Sequence, residues 1–209
     1  MLPFAVFIPI SFLLIGSALY IQGQPYIFSA SRWLFLQAAL VALIAFAFAI
    51  AESSWSLVVL GILIVLLRGV GTMHFLQRSM HMKRRIVARE PIRGTAGLLV
   101  INMLFLVAVF IIFTISLPIY LPQITSLVIF PIGLFFEGLF LIASRKNTFM
   151  HIIGYVEEEN AVVLLGILII PISLVIEASV LLDVLAIVVI SSIVAKEKFE
   201  HMKVDELVG

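Results

Sequence analysis

The chain has 209 residues, 63% of them hydrophobic and only 12% charged, and its formal net charge is +1. With a mean hydropathy of +1.26 it holds more apolar surface than a water-soluble core of this length can hide, so lipid or other chains must cover it. It has no cysteine, which excludes thiolate metal sites, iron–sulfur ligation and disulfides, and Gly69-Val70-Gly71 is a pair of glycines in an apolar run rather than a phosphate loop.

A helix needs about 20 mostly apolar residues to cross ~30 Å of hydrocarbon. Such runs occur at 2–20, 33–51, 55–76, 95–117, 123–143, 147–170 and 172–195. They predict an all-α integral membrane protein of about seven transmembrane helices, with no internal repeat and a single membrane domain over 1–209. The first run lacks the basic n-region of a signal peptide and is read as a retained helix. Gln22-Gly23-Gln24-Pro25 breaks the first run from the second, and Glu52-Ser53-Ser54 the second from the third. Pro118 and Pro122 bracket the turn into the fifth, and Pro171 follows the sixth.

The basic residues test this division. Arg32 falls in the first gap, six bases from Arg78 to Arg93 in the third, Arg145 and Lys146 in the fifth, and Lys196, Lys198 and Lys203 after the last run. Every Lys and Arg except Arg68 thus lies in alternate gaps. Cytoplasmic loops carry the Lys/Arg excess, so the N-terminus is predicted outside and the C-terminus cytoplasmic. On that reading 77–94 is a basic cytoplasmic loop, which also suits anionic lipid or a soluble arm, and 196–209 is a cytoplasmic tail.

Seven charged residues fall inside the runs: Arg68 in the third, Glu137 in the fifth, Glu157, Glu158 and Glu159 in the sixth, and Glu177 and Asp183 in the seventh. Each costs about 2.5–3.5 kcal/mol at a helix centre, so together they would cost roughly 20 kcal/mol if ionised and facing lipid. They must be protonated, paired, or turned toward water or partner chains. Counted from Lys146 and Lys196 at ~1.5 Å per residue, Glu159 and Asp183 sit about 20 Å deep, while Arg68 and Glu137 lie roughly 12–15 Å deep. Four helices therefore bring ionisable groups to one level, as a lateral or bent proton relay would require. An Arg68–Glu137 pair would be a structural ion pair that fixes packing; the bases at this depth are too few to pair the clustered acids. Glu157, Glu158 and Glu159 step by about 100° each and cannot share one pocket, so at least one is expected to face another subunit or a solvated break. Glu177 and Asp183, about 240° apart round a helix, cannot share a face either. Asn160 is expected to bond across helices, or else to belong to the ion path. Glu52 reads as a solvated turn residue, and His74, His81 and His151 as interfacial anchors or sites of proton uptake rather than metal ligands.

The stretch Ser144-Arg145-Lys146-Asn147-Thr148-Phe149-Met150-His151-Ile152-Ile153-Gly154-Tyr155, followed by Glu159-Asn160, resembles component E of hydrogenase-4 and formate hydrogenlyase-type complexes. Glu177 and Asp183, and the closing Met202-Lys203-Val204-Asp205-Glu206-Leu207-Val208-Gly209, are similar to that family's acidic pair and tail. More distantly, 144–209 resembles the small K subunit of respiratory complex I. The likeness is concentrated in 127–209, with Ala51-Glu52 before it. Two departures stand out. Where the complex I subunit has its first Glu, two residues after the Gly, this chain has Val156 and the acid has moved to Glu159. Where component E proteins carry a Lys in the third span, it has Ile64, with Arg68 a turn later.

The resemblance implies a non-catalytic membrane-arm subunit in the cytoplasmic membrane of a bacterium or archaeon. Such a subunit sits beside antiporter-like and other membrane subunits and lines a proton or sodium path. It would bind no cofactor itself; nickel–iron and iron–sulfur clusters would belong to a soluble hydrogenase-type or other redox arm, and no nucleic acid is expected as a partner. On this reading Glu159 and Asp183 exchange protons and Arg68 biases a neighbour electrostatically, with Glu137, Glu157, Glu158, Glu177 and Asn160 completing the path. The alternatives are a scaffold or assembly subunit of the same complex and an independent secondary transporter, the latter disfavoured by the missing repeat. A retinal protein would need a Lys in the seventh span, which has none.

Overall fold

The structure is a computed structural model that describes residues 2–74, 94–120 and 124–169. The run 172–195 with Glu177 and Asp183, the loop residues 77–93 with His81, and the tail 196–209 lie outside the described residues. Those described are helical, with no strand among them. Helix α1 spans Leu2–Gln22, α2 Ile27–Glu52 and α3 Trp55–Leu63; α3 continues directly into a π-helical segment, Ile64–Gly71. After these come α4 (Gly94–Tyr120), α5 (Thr125–Ser144) and α6 (Thr148–Ile169).

Among the described residues, five stretches are long and apolar enough to cross a membrane: Ala5–Gln22, Ile27–Glu52, Trp55–His74, Ala96–Tyr120 and Thr125–Ser144. The chain is an all-α protein built for a membrane. At 22 residues, α6 measures about 33 Å, but Glu157, Glu158 and Glu159 interrupt its apolar run.

Two boundaries differ from the sequence expectation. Helix α2 begins at Ile27 rather than 33, so Arg32 is not in a turn but on an exposed flank of the helix. There its long stem can carry the guanidinium out to the interface. Helix α4 continues through Pro118 to Tyr120. A proline so near a C-terminus removes only one hydrogen bond of the last turns. Between α2 and α3 the chain reverses at Ser53, whose φ of 50° puts it in the left-handed region.

Helices α1, α2, α6 and α5 close a ring, each packing on the next, with α3 and the π segment laid on α2 and α4 on α5. Sequence explains the ring. In α2, Ala38, Ala42, Ala45 and Ala49 recur at helical spacing on the buried face, and small side chains let neighbouring helices approach closely. Leu14, Val41, Leu60, Leu134 and Leu164 meet in the main core, and Ile21, Leu34, Leu141, Met150 and Ile153 in a second cluster at the basic end. Arg145, just past α5, donates from Nη2 to the carbonyl oxygen of Gln22 at the end of α1, tying those two ends together. The far end exposes Trp55 and Tyr120, while Tyr20 and Trp33 stack near the basic end with ring centroids 4.2 Å apart. Aromatic rings at both ends of an apolar bundle suit the two headgroup layers.

Candidate functional site

The polar residues buried inside this bundle form a layer across it. Helix α6 supplies Glu157, Glu159 and Asn160, α5 Glu137, α4 Asn102, α2 Gln37, and the π segment Arg68; each is at most 3% exposed. At ~1.5 Å per residue from the basic ends of their helices, Gln37, Asn102, Glu137, Glu157 and Glu159 all lie roughly 10–17 Å deep.

Three contacts across helices organise the layer. Asn102 donates from Nδ2 to Glu137 Oε2 at 2.7 Å. Gln37 donates from Nε2 to Glu157 Oε1 at 3.1 Å. Arg68 donates from Nη1 to the backbone carbonyl of Glu159 at 2.9 Å, and its Nε stands 3.9 Å from Glu159 Oε2. The last is a fully buried ion pair, which is stable only because hydrogen bonding supplements the charge attraction.

Arg68 therefore pairs with Glu159, not with Glu137 as the sequence expectation had it. A π turn holds an extra residue and shifts the side chains beyond it round the axis. Here it brings Arg68 onto α6, while Glu137 is engaged by α4. At Gly69 the segment comes close to α2, where a Cβ would stand 3.2 Å from the Phe35 ring.

The three consecutive acids leave α6 in three directions, as their spacing demands. Glu157 points to α2 and Glu159 to the π segment, and both are buried inside this chain. Glu158 alone reaches the surface, half-buried, with its Cγ against Gly138 of α5. Asn160 does not make the expected bond between helices; neither of its amide atoms has a hydrogen-bond partner among the described residues. Gln37 and Asn102 lie outside the residues that the sequence singles out. Their signal was available: a lone amide in the middle of an apolar helix demands a partner too.

Helices α5 and α6 cross with their backbones in contact. A Cβ on Gly138 would lie 2.6 Å from the carbonyl oxygen of Gly154, and one on Gly154 would lie 2.8 Å from that of Gly138. This crossing sets Glu137 and Glu157 close enough for their charges to interact.

The Arg145-Lys146-Asn147 turn does structural work. Asn147 Oδ1 accepts from the amide of Phe149 at 2.9 Å and so caps α6, and His151 Nε2 lies 2.5 Å from the carbonyl of Arg145. Asn147→Ala should cost about 1 kcal/mol of stability, the usual value of an N-cap, read as a shift in the chain's unfolding midpoint in detergent; no shift would rule out the cap. His151 is half-buried and His74 exposed at this end, and Glu52 is exposed at the other, each where a solvated or interfacial residue belongs. Among the described residues, no three His, Asp or Glu stand where they could hold a metal. Comparison of the chain with protein-family models, with curated proteins and with solved structures returns no match.

Proposed function

We propose that this chain is a non-catalytic, ion-conducting membrane subunit of an energy-converting redox complex, of the group 4 nickel–iron hydrogenase or formate hydrogenlyase type whose component E it resembles. In this reading seven helices cross the cytoplasmic membrane of a prokaryote with the C-terminus inside. Antiporter-like subunits adjoin it, and a soluble arm carries the nickel–iron and iron–sulfur centres.

The observation that supports it is the pairing of two deeply buried carboxyl groups with amides rather than with bases. An amide offers both a donor and an acceptor. Gln37 Oε1 and Asn102 Oδ1 have no other hydrogen-bond partner among the described residues. Glu157 and Glu137 can each accept from the amide nitrogen when ionised, and each can donate to the amide oxygen when protonated. A carboxyl that keeps a hydrogen bond in both states can take up and release a proton without stranding a buried polar group. Glu159 differs, because its carboxylate is paired with the buried Arg68 guanidinium, and losing its charge would break that pair. Glu137 and Glu157 are thus assigned to proton exchange, with Asp183 continuing the path, and Arg68–Glu159 to holding the layer in register. A scaffold role in the same complex is the second reading, favoured by that fixed ion pair alone.

The test is proton uptake by inverted membrane vesicles, measured per turnover of the redox module. Glu157→Gln and Glu137→Gln should lower the ratio about tenfold or more, as loss of a positioned proton-transfer group does, with the amount of assembled complex unchanged. Wild-type ratios in both variants would refute conduction through this layer; loss of the complex itself would support the scaffold.

A further inference from the structure

Helix α6 is enclosed except along one line. His151, Tyr155, Glu158, Val162, Leu165 and Ile169 are half-buried or exposed, and every other residue from Ile152 to Ile167 is buried. Their steps of four, three, four, three and four make a stripe one side chain wide, the spacing of a helix–helix seam. An open face of α4, by contrast, is broad and carries no charged residue, with Val100, Leu104, Val107, Ile111 and Ile115 all more than half exposed.

Glu158 stands in the middle of the stripe. It has no ion pair among the described residues, and its Oε1 is buried without a hydrogen bond. Acyl chains filling this line would leave a carboxyl group in hydrocarbon without a donor, which is costly. We infer that the stripe seats a membrane-spanning helix of a partner subunit, and that this helix presents a basic or hydrogen-bond-donating side chain to Glu158. Charge complementarity separates this occupant from the two nearest alternatives. An antiparallel return of the run 172–195 would bring Asp183, and no Lys or Arg, to the depth of Glu158. A second copy seated two-fold on the same stripe would set Glu158 against Glu158. Neither brings Glu158 a Lys or Arg; the first offers at most another carboxyl group and the second its own copy. The inference concerns assembly and holds whether or not ions pass through the layer behind it.

The experiment uses the full chain in its own membranes, extracted in mild detergent and separated by native electrophoresis. The wild type should run in a particle that contains other subunits. Val162→Trp and Glu158→Lys should each lower the share of chain in that particle about tenfold or more. Val107→Trp, on the open face of α4, should change it less than about twofold. Each purified variant should unfold at the wild-type midpoint; Val162→Trp keeps the test alive if Glu158→Lys misfolds. A wild type running at its own mass, or in multiples of it without another protein, would overturn the inference. So would retention of the particle by Val162→Trp, or by a folded Glu158→Lys.

Discussion

Arg68→Met should lower the free energy of unfolding in bilayers by about 3–5 kcal/mol, the range for breaking a buried charge pair from one side. The substitution leaves stem volume at the site but removes both the ion pair and the donor to the Glu159 carbonyl. Glu159 then remains in the layer, buried and without the Arg68 charge. Adding Glu159→Gln removes that charge too. The double variant should therefore be more stable than Arg68→Met alone, and the two single losses should fail to add. Reversible unfolding in mixed micelles, followed for all four members of the cycle, measures this. A loss below about 1 kcal/mol for Arg68→Met, or strict additivity, would mean that the pair contributes no more than an exposed one.

Gly138→Leu and Gly154→Leu should each cost about 3 kcal/mol or more, the upper part of the range for overfilling a packed interior. The reason lies in what the new atoms meet. At both positions the nearest obstacle is the backbone carbonyl of the facing helix, which cannot rotate away, so α5 and α6 must separate. At Gly61 a Cβ would meet the Phe46 ring, a side chain able to turn aside, and at Gly16 it would meet nothing within 4 Å. Gly16→Ala should accordingly be neutral or slightly stabilising through helix propensity. The separation also carries Glu137 away from Glu157, so both leucine variants should lose proton uptake with every carboxyl group still present. Stability equal to that of Gly16→Ala would contradict the backbone contact.

The alternation of Lys and Arg along the chain made the helices legible, since each basic cluster marks an end that lipid cannot cover. The same rule sets the start of α2 too late, because it places Arg32 in a loop although a helix can carry an arginine within reach of the headgroups. Pro118 was read as a stop for a similar reason, though the last turns of a helix tolerate the bond it removes. The level at which charges gather was legible from distances along the chain. Their partners were not. Which acid Arg68 meets depends on the π turn at Ile64–Gly71, a register shift in a segment packed on α2. Gln37 and Asn102 carry no formal charge, and their role emerges only when Glu157 and Glu137 stand opposite.

The peripheral place of α4 bears on how the protein is made. Among the described residues this helix packs on α5, beyond a slight contact with α1, through Asn102 and through Phe105, Phe110 and Phe113 against Phe130, Phe136 and Phe140. Its dock is synthesised after it. While the ribosome is still translating α5, the Asn102 amide has no Glu137 to meet, and a lone amide is poorly held in hydrocarbon. The two segments are then best delivered to the bilayer together, as a hairpin already joined at Asn102 and Glu137, onto a nascent α1–α2–α3 unit awaiting its remaining walls.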